Sequence, residues 1–194
     1  MTSKKYHSEL HEIGFKYGTD KCYINPDEKS YLHHYEDIMK DKCDREINLL
    51  EIGVRDGPCL KMFEEYFYNA KNIIGIDINK KCKNLENEKI KIIIGDSNNL
   101  ETYKKINEIT EENFDFIIDD GSHDINDIQF SFNNLFSKVK PSGYYIIEDL
   151  NNLYKKNQVK KGHIFLNNLF DKVNNKEINY EKFIISRNLL IINY

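Results

Sequence analysis

Carboxylates and a histidine follow directly after two short apolar runs of the chain. One run leads into Asp-Asp-Gly-Ser-His at residues 119–123, and a later one into Glu148 and Asp149. If these runs are neighbouring parallel strands, their carboxyl ends meet at one edge of a sheet. Asp120, Glu148 and Asp149 would then offer three hard oxygen ligands, which suit Mg²⁺. The same acids can instead cap helices and point apart, so the residues alone leave the metal site open.

His123 is the candidate general base of such a site. It lies three residues after Asp120, and a histidine at the mouth of a site can take a proton from a substrate hydroxyl near neutral pH. A bound cation would acidify that hydroxyl as a Lewis acid. A lone histidine is more often a structural residue. The three-residue spacing between Asp120, a candidate metal ligand, and His123 nevertheless favours a catalytic role for His123 together with Asp120.

A glycine turn and two further acids predict a nucleoside cofactor. Gly53 follows the first apolar run and permits a sharp turn and close approach of a ligand. Asp77 ends the second run, where an acid can accept both ribose hydroxyls, and Asp96 follows the third, where it can accept from an adenine amino group. The next glycine comes four residues after Gly53, which disfavours the G-x-G-x-x-G loop of dinucleotide-binding proteins. Each acid alone can be a helix cap.

The elements that position these residues are readable as apolar patterns. Short β-branched runs predict strands buried on both faces of a parallel sheet, at 47–52, 72–77, 90–94, 114–119 and 144–148. Apolar residues at helical spacing lie between several of these runs and again within 151–180. Residues 183–185 and 189–192 flank a three-residue gap that predicts a hairpin. The predicted fold is α/β: a doubly wound, mostly parallel seven-stranded sheet with a C-terminal antiparallel hairpin.

Domain organisation and location follow from length and the missing apolar stretches. The 194 residues predict a single domain over 1–194, with 1–45 as a helical and loop cover over the cofactor site. The N-terminal residues lack the apolar core of a signal peptide, and no run approaches the ~20 apolar residues of a membrane span. These features predict a cytoplasmic protein without a membrane partner.

Charge and cysteine content exclude some function classes. The net charge is −4, with lysines interleaved among acids, whereas a nucleic-acid binder is usually basic on one face. The four cysteines form no C-x-x-C pair, so we interpret them as inert thiols rather than as a metal site or disulfide frame. No nucleic-acid partner is therefore predicted.

Taken together, the motifs resemble the Mg-dependent sugar O-methyltransferases of macrolide biosynthesis (mycinamicin type), which are class I S-adenosylmethionine (SAM)-dependent enzymes. A parallel sheet that ends in an antiparallel hairpin is also their usual arrangement. The resemblance covers about residues 14–154, and its motifs lie at 16–21, 34–35, 50–54, 75–77, 95–96, 118–123, 140–143 and 147–150.

The resemblance implies roles for individual residues. It implies Mg²⁺ ligation by Asp120, Glu148 and Asp149, with His123 as base. The residues that it places at SAM are Thr19, Asp20, His34, Tyr35, Glu51, Gly53, Asp77, Asp96 and Asp119. The family commonly has Gly-Gly-Ser-Leu where this chain has Gly-Pro-Cys-Leu at 57–60, and Pro58 removes a backbone donor there.

The predicted function is SAM-dependent O-methylation of a sugar hydroxyl on a nucleotide-sugar or glycan precursor, with SAM and Mg²⁺ as cofactors. A homo-oligomer is compatible with the sequence. The alternatives are a SAM enzyme of another small-molecule or RNA class and a methyltransferase-fold protein that binds without catalysis. The glycine spacing and the terminal hairpin disfavour an NAD oxidoreductase.

Overall fold

The computed structural model describes residues 9–22, 30–150, 159–175, 182–186 and 188–194. The strands are β1 Asn48–Ile52, β2 Asn72–Asp77, β3 Ile90–Ile94, β4 Phe114–Asp119, β5 Val139–Ile147, β6 Lys182–Ser186 and β7 Leu189–Asn193. The α-helices are α1 Glu9–Tyr17, α2 Tyr31–Met39, α3 Pro58–Tyr66, α4 Leu100–Lys104, α5 Ile106–Ile109, α6 Ile125–Leu135 and α7 Val159–Asn174. Short 3₁₀ turns lie at Asp20–Cys22, Lys40–Lys42, Lys80–Leu85 and Phe136–Lys138.

The seven strands form one sheet in the order β3-β2-β1-β4-β5-β7-β6. β3, β2, β1, β4 and β5 pair in parallel, whereas β7 runs antiparallel to both β5 and β6. The predicted α/β fold with its C-terminal antiparallel hairpin is confirmed. The strand order reverses between β1 and β4, so a crevice opens at their carboxyl ends, where ligands bind in such sheets.

Helices cover both faces of the sheet, as a doubly wound fold requires. One apolar cluster joins α1, α2 and α3 to the sheet through side chains such as Leu10, Tyr35 and Phe63. The other joins α6 and α7 through Phe132 and Phe165. The inner strands are apolar almost throughout because both faces are buried.

The two helices that lead away from the site begin with recognisable signals. α3 starts at Pro58, whose fixed φ suits a first helical position, directly after Gly57 at φ 81°. α6 starts after Asp124, whose carboxylate accepts from Asn126 N at 2.8 Å. Both signals lie just beyond a strand end, so they fix how the chain leaves the sheet edge.

The described part of the N-terminal region packs beside α3. α1 contacts both α3 and α2, and a Cβ at Gly14 would lie 2.5 Å from Cys22 Sγ. Gly14 is therefore required for the close approach of the 3₁₀ turn at Asp20–Cys22. Lys16, Tyr17, Gly18 and Asp20 of this region line the crevice. The boundary of the cover at residue 45 stays a prediction.

Some boundaries differ from those expected. β5 begins at Val139 rather than at residue 144, because Val139 already pairs with Phe114 of β4; the register then shifts before Tyr144, and Ser142 in between has φ 60°. β1 begins at Asn48 rather than at residue 47. The helix expected within 151–180 is α7, and residues 151–158 and 176–181 lie outside the described part.

The four cysteines are unpaired. Among the described residues, no helix combines the length and apolarity needed to cross a membrane.

Candidate functional site

The crevice at the switch point holds a cavity of about 770 Å³, within the range of small-molecule sites. Its walls come from the β1–α3 loop, the end of β2, the 120–123 segment and α1. A second cavity of about 350 Å³ shares Gly53, Asp77 and Gly121 with the first. The two form one trough across the carboxyl ends of the strands.

Gly53 and Asp77 build the floor of this trough. Gly53 has φ 90°, and a Cβ there would lie 2.1 Å from the Asp120 backbone oxygen, so only glycine fits. Asp77 Oδ2 accepts from the backbone N–H groups of Val54 and Arg55, both at 2.9 Å, and Oδ1 accepts from Asn79 N at 2.7 Å. Asp77 therefore fixes the glycine loop while its side chain still lines the cavity.

The second cavity has an apolar and an acidic wall. Ile78 is 72 % exposed beside it, and the exposed Asp96 lies opposite the loop that ends β4. Asp96 Oδ1 accepts from Asn98 N at 2.9 Å, which is the turn-capping role also open to it. An exposed aliphatic side chain beside an acid is suited to a flat base with an exocyclic amine.

Asp120, His123 and Asp149 converge at the mouth of the larger cavity. Ligand atoms of the three lie within 4.8 Å of one another, and His123 Nε2 lies 3.5 Å from Asp149 Oδ2. His123 and Asp149 have φ of 57° and 55°. Left-handed backbone at non-glycine residues is strained and concentrates at functional sites. Tyr31 OH donates to Asp149 Oδ1 at 2.8 Å and orients it.

Lys21 lies on the inner side of this group. Its Nζ lies 2.5 Å from Asp120 Oδ2 and 2.7 and 2.8 Å from the two oxygens of Glu148. The Lys21 side chain is 1 % exposed. Burial opposes its positive charge, but the acids, led by Glu148, hold the pKa of Lys21 well above its ordinary value. A protonated lysine is thus built into the acidic cluster.

Glu148 and Glu51 form the buried side of the cluster. Burial, followed by the charge of Asp120, raises the pKa of Glu148 while Lys21 lowers it, and Tyr35 OH donates to Glu148 Oε1. Burial also raises the pKa of Glu51, to about 8. The Glu51 carboxylate lies 4.0 Å from Lys21 Nζ, and among the described residues neither of its oxygens has a hydrogen-bond partner.

The remaining predicted residues are spread around the site. Asp119 is 4 % exposed, turned toward α6, and burial raises its pKa to about 7. Thr19 is buried with its Oγ1 3.0 Å from Cys59 Sγ, and the exposed Asp20 accepts from Arg55 at 3.0 Å. His34 is half-buried on α2. The structure does not place Asp119 on the cavity wall beside Asp120, because Asp119 belongs to the opposite face of β4.

Sequence reasoning missed two participants, Lys21 and Tyr31. Lys21 lies inside the motif at 16–21 without an assigned role, and its signal was a lysine among predicted site residues that are mostly acidic. Tyr31 contacts Asp149 across 118 positions of the chain. No local pattern marks such a contact.

The residues present are compatible with a divalent cation at the mouth. The carboxylates of Asp120 and Asp149 belong to a group whose ligand atoms lie within 4.8 Å of one another, and both side chains are partly exposed. Glu148 lies deeper than these two and is bonded to Lys21 and Tyr35. Its ligand role stays a prediction.

The chain is similar to known methyltransferases. A family model for FtsJ-like methyltransferases matches residues 30–187. Demethylmacrocin O-methyltransferase of Streptomyces fradiae and mycinamicin VI 2''-O-methyltransferase of Micromonospora griseorubida are each 33% identical over an alignment of 153 residues that covers 73% of this chain. The chain spans 36% of the length of these relatives.

Solved structures agree with this result. The MycE methyltransferase of the mycinamycin biosynthetic pathway, in complex with Mg, SAH and mycinamycin VI, matches with a TM-score of 0.82 and 27% identity. The match covers 96% of this chain and 54% of that chain. On the family match, this chain belongs to the FtsJ-like methyltransferases.

Proposed function

We propose that this protein transfers the methyl group of SAM to a hydroxyl of a sugar, on a nucleotide-sugar or glycan precursor. One observation carries the proposal: the glycine loop with Asp77 and the group of Asp120, His123 and Asp149 open into the same cavity of about 770 Å³. A cofactor and an acceptor can therefore meet beside a base. The similarity to sugar O-methyltransferases of two macrolide pathways supports the acceptor class.

The trough provides for SAM through the chain's own residues. Gly53 lines both cavities and lets the Asp120 backbone pack against the turn, Asp77 lines the floor for the ribose hydroxyls, and Ile78 with Asp96 faces the smaller cavity where the adenine would lie. SAM supplies an electrophilic methyl group. The predicted cofactor residues Thr19, Glu51 and Tyr35 act on the cofactor site indirectly, through neighbouring side chains. They contact Cys59, Lys21 and Glu148, respectively.

At the mouth, Mg²⁺ held by Asp120 and Asp149, with Glu148 behind them, would supply Lewis-acid polarisation of a hydroxyl. His123 Nε2 accepts the proton of the reacting hydroxyl. Asp149 Oδ2, 3.5 Å away, stabilises the resulting imidazolium, and Tyr31 keeps that carboxylate in place. Most of the rate gain would come from positioning the two reactants.

The test is methyl transfer from radiolabelled SAM to a panel of nucleotide-sugars and simple glycosides, with and without EDTA. Label in a sugar product that disappears with EDTA supports the proposal. Labelling of a catechol or of RNA, with none of a sugar, would replace the acceptor class. SAM binding without transfer to any acceptor would favour a binding protein.

A further inference from the structure

Lys21 is a buried cation at the junction of three strand ends. Glu51 belongs to β1, Asp120 follows β4 and Glu148 follows β5, and Lys21 reaches all three from the turn after α1. Burying an ammonium group is costly unless acids pair with it closely. Here both oxygens of Glu148 and one oxygen of Asp120 do so at 2.5–2.8 Å.

The positive charge of Lys21 in turn stabilises the buried acids. Glu148 is 2 % exposed and shares Lys21 with Asp120, and two carboxylates this close repel one another when no cation lies between them. Asp120 differs because its side chain is 22 % exposed and lines the cavity. Asp120 is therefore bonded on its inner side to Lys21 and is open on its outer side, toward His123 and Asp149.

We propose that Lys21 is a positioning residue. Its ammonium group neutralises part of the negative charge of Asp120 and Glu148 and holds both side chains in place for a divalent cation. Lys21 and that cation then neutralise the same two acids. The inference rests on the proposed function only in taking a divalent cation as the site's cofactor. Lys21 would keep the site ordered when that cation is absent.

Sharing of charge has a measurable consequence. If Lys21 and a divalent cation neutralise the same acids, removing the lysine must increase the stabilisation that the cation gives. The experiment is thermal unfolding in EDTA and in MgCl₂ at matched ionic strength. The variants are K21M, K21R and the control K71M, since Lys71 forms an exposed surface pair with Glu112.

In EDTA we expect the K21M Tm to fall by about 10 °C, since breaking a buried pair leaves buried charge uncompensated. Mg²⁺ should then raise the Tm of K21M by about twice its gain in the wild type or more. K21R should restore most of the Tm in EDTA, and K71M should shift it by no more than about 2 °C. A lysine with a purely structural role would lower the Tm and leave the Mg²⁺ gain unchanged, which would overturn the proposal.

The double variant K21M/E148Q keeps the proposal testable if K21M does not fold. It removes the buried acid together with its cation, so it should melt above K21M in EDTA and lose the enlarged Mg²⁺ gain. A double variant that melts no higher, or equal Mg²⁺ gains in wild type and K21M, would overturn it. If the gains behave as expected and no methyl transfer occurs, the proposed function fails while the role of Lys21 stands.

Discussion

At the level of single residues, the site combines exposed groups suited to chemistry with buried groups that order them. His123 is exposed enough to meet an acceptor, and Asp149 lies 3.5 Å from its Nε2. We expect His123→Gln to lower kcat by about 10²–10⁴-fold, the usual contribution of a general base, with SAM affinity unchanged. The measurement is steady-state methyl transfer with calorimetric SAM titration. His163→Gln, an exposed change on α7, is the control, and equal activity of both variants would refute the base assignment.

The raised pKa of buried Glu51 predicts that the stability of the protein depends on pH. Burial raises its pKa in the folded protein to about 8, above the ordinary value of 4.5. The folded state therefore binds the Glu51 proton more tightly than the unfolded state, and stability from this group is lost as pH rises from about 4.5 to 8.

Glu51→Gln keeps the shape of the side chain and cannot ionise. We expect the free energy of unfolding of this variant, relative to that of the wild type, to rise by on the order of 2 kcal/mol between pH 5 and pH 8.5. Denaturant unfolding at the two pH values measures this difference, and a pH-independent difference would contradict the burial argument.

At the level of elements, the β1–α3 turn and the terminal hairpin determine how the site is built. Gly53→Ala introduces a Cβ at φ 90° where the Asp120 backbone oxygen would be 2.1 Å away. We expect a loss of about 2–4 kcal/mol in unfolding free energy, together with loss of SAM binding. Gly18→Ala is the matched control, because Gly18 has φ 72° with open space around it and should cost about 1 kcal/mol. Similar losses in both variants would show that φ alone matters.

Substitutions in the terminal hairpin test which of its two strands lies inside the sheet and which at the edge. Ile191 of β7 is 1 % exposed between β5 and β6, whereas Ile185 of β6 is 52 % exposed at the edge. Ile191→Ala should destabilise the protein by about 2–5 kcal/mol, and Ile185→Ala by less than about 1 kcal/mol. Denaturant unfolding of both variants measures the contrast. Equal losses would contradict the placement of β7 inside the sheet.

At the level of the whole molecule, the trough crosses both halves of the sheet, so a ligand there ties the halves together. SAM at 100 times its Kd should add about 2.7 kcal/mol of stability, which raises Tm by about 5–10 °C for a chain of this size. Thermal unfolding with and without SAM measures the shift. Asp77→Asn should reduce it, because Asp77 both lines the trough and fixes the glycine loop. An unchanged Tm in SAM would argue against a SAM site.

The sequence by itself determined the order of strands and helices, the terminal hairpin, and the acids and histidine at strand ends. These depend on patterns within a few residues, and the carboxyl ends of parallel strands always meet at one edge. Only the tertiary structure decided that β7 lies between β5 and β6, that Asp119 turns toward α6, and that Lys21 pairs with Asp120 and Glu148. These outcomes depend on tertiary contacts that no pattern within a few residues reports; the Lys21–Asp120 contact, for example, spans 99 positions of the chain. They also depend on local φ values, such as 55° at Asp149, which set the direction of a side chain.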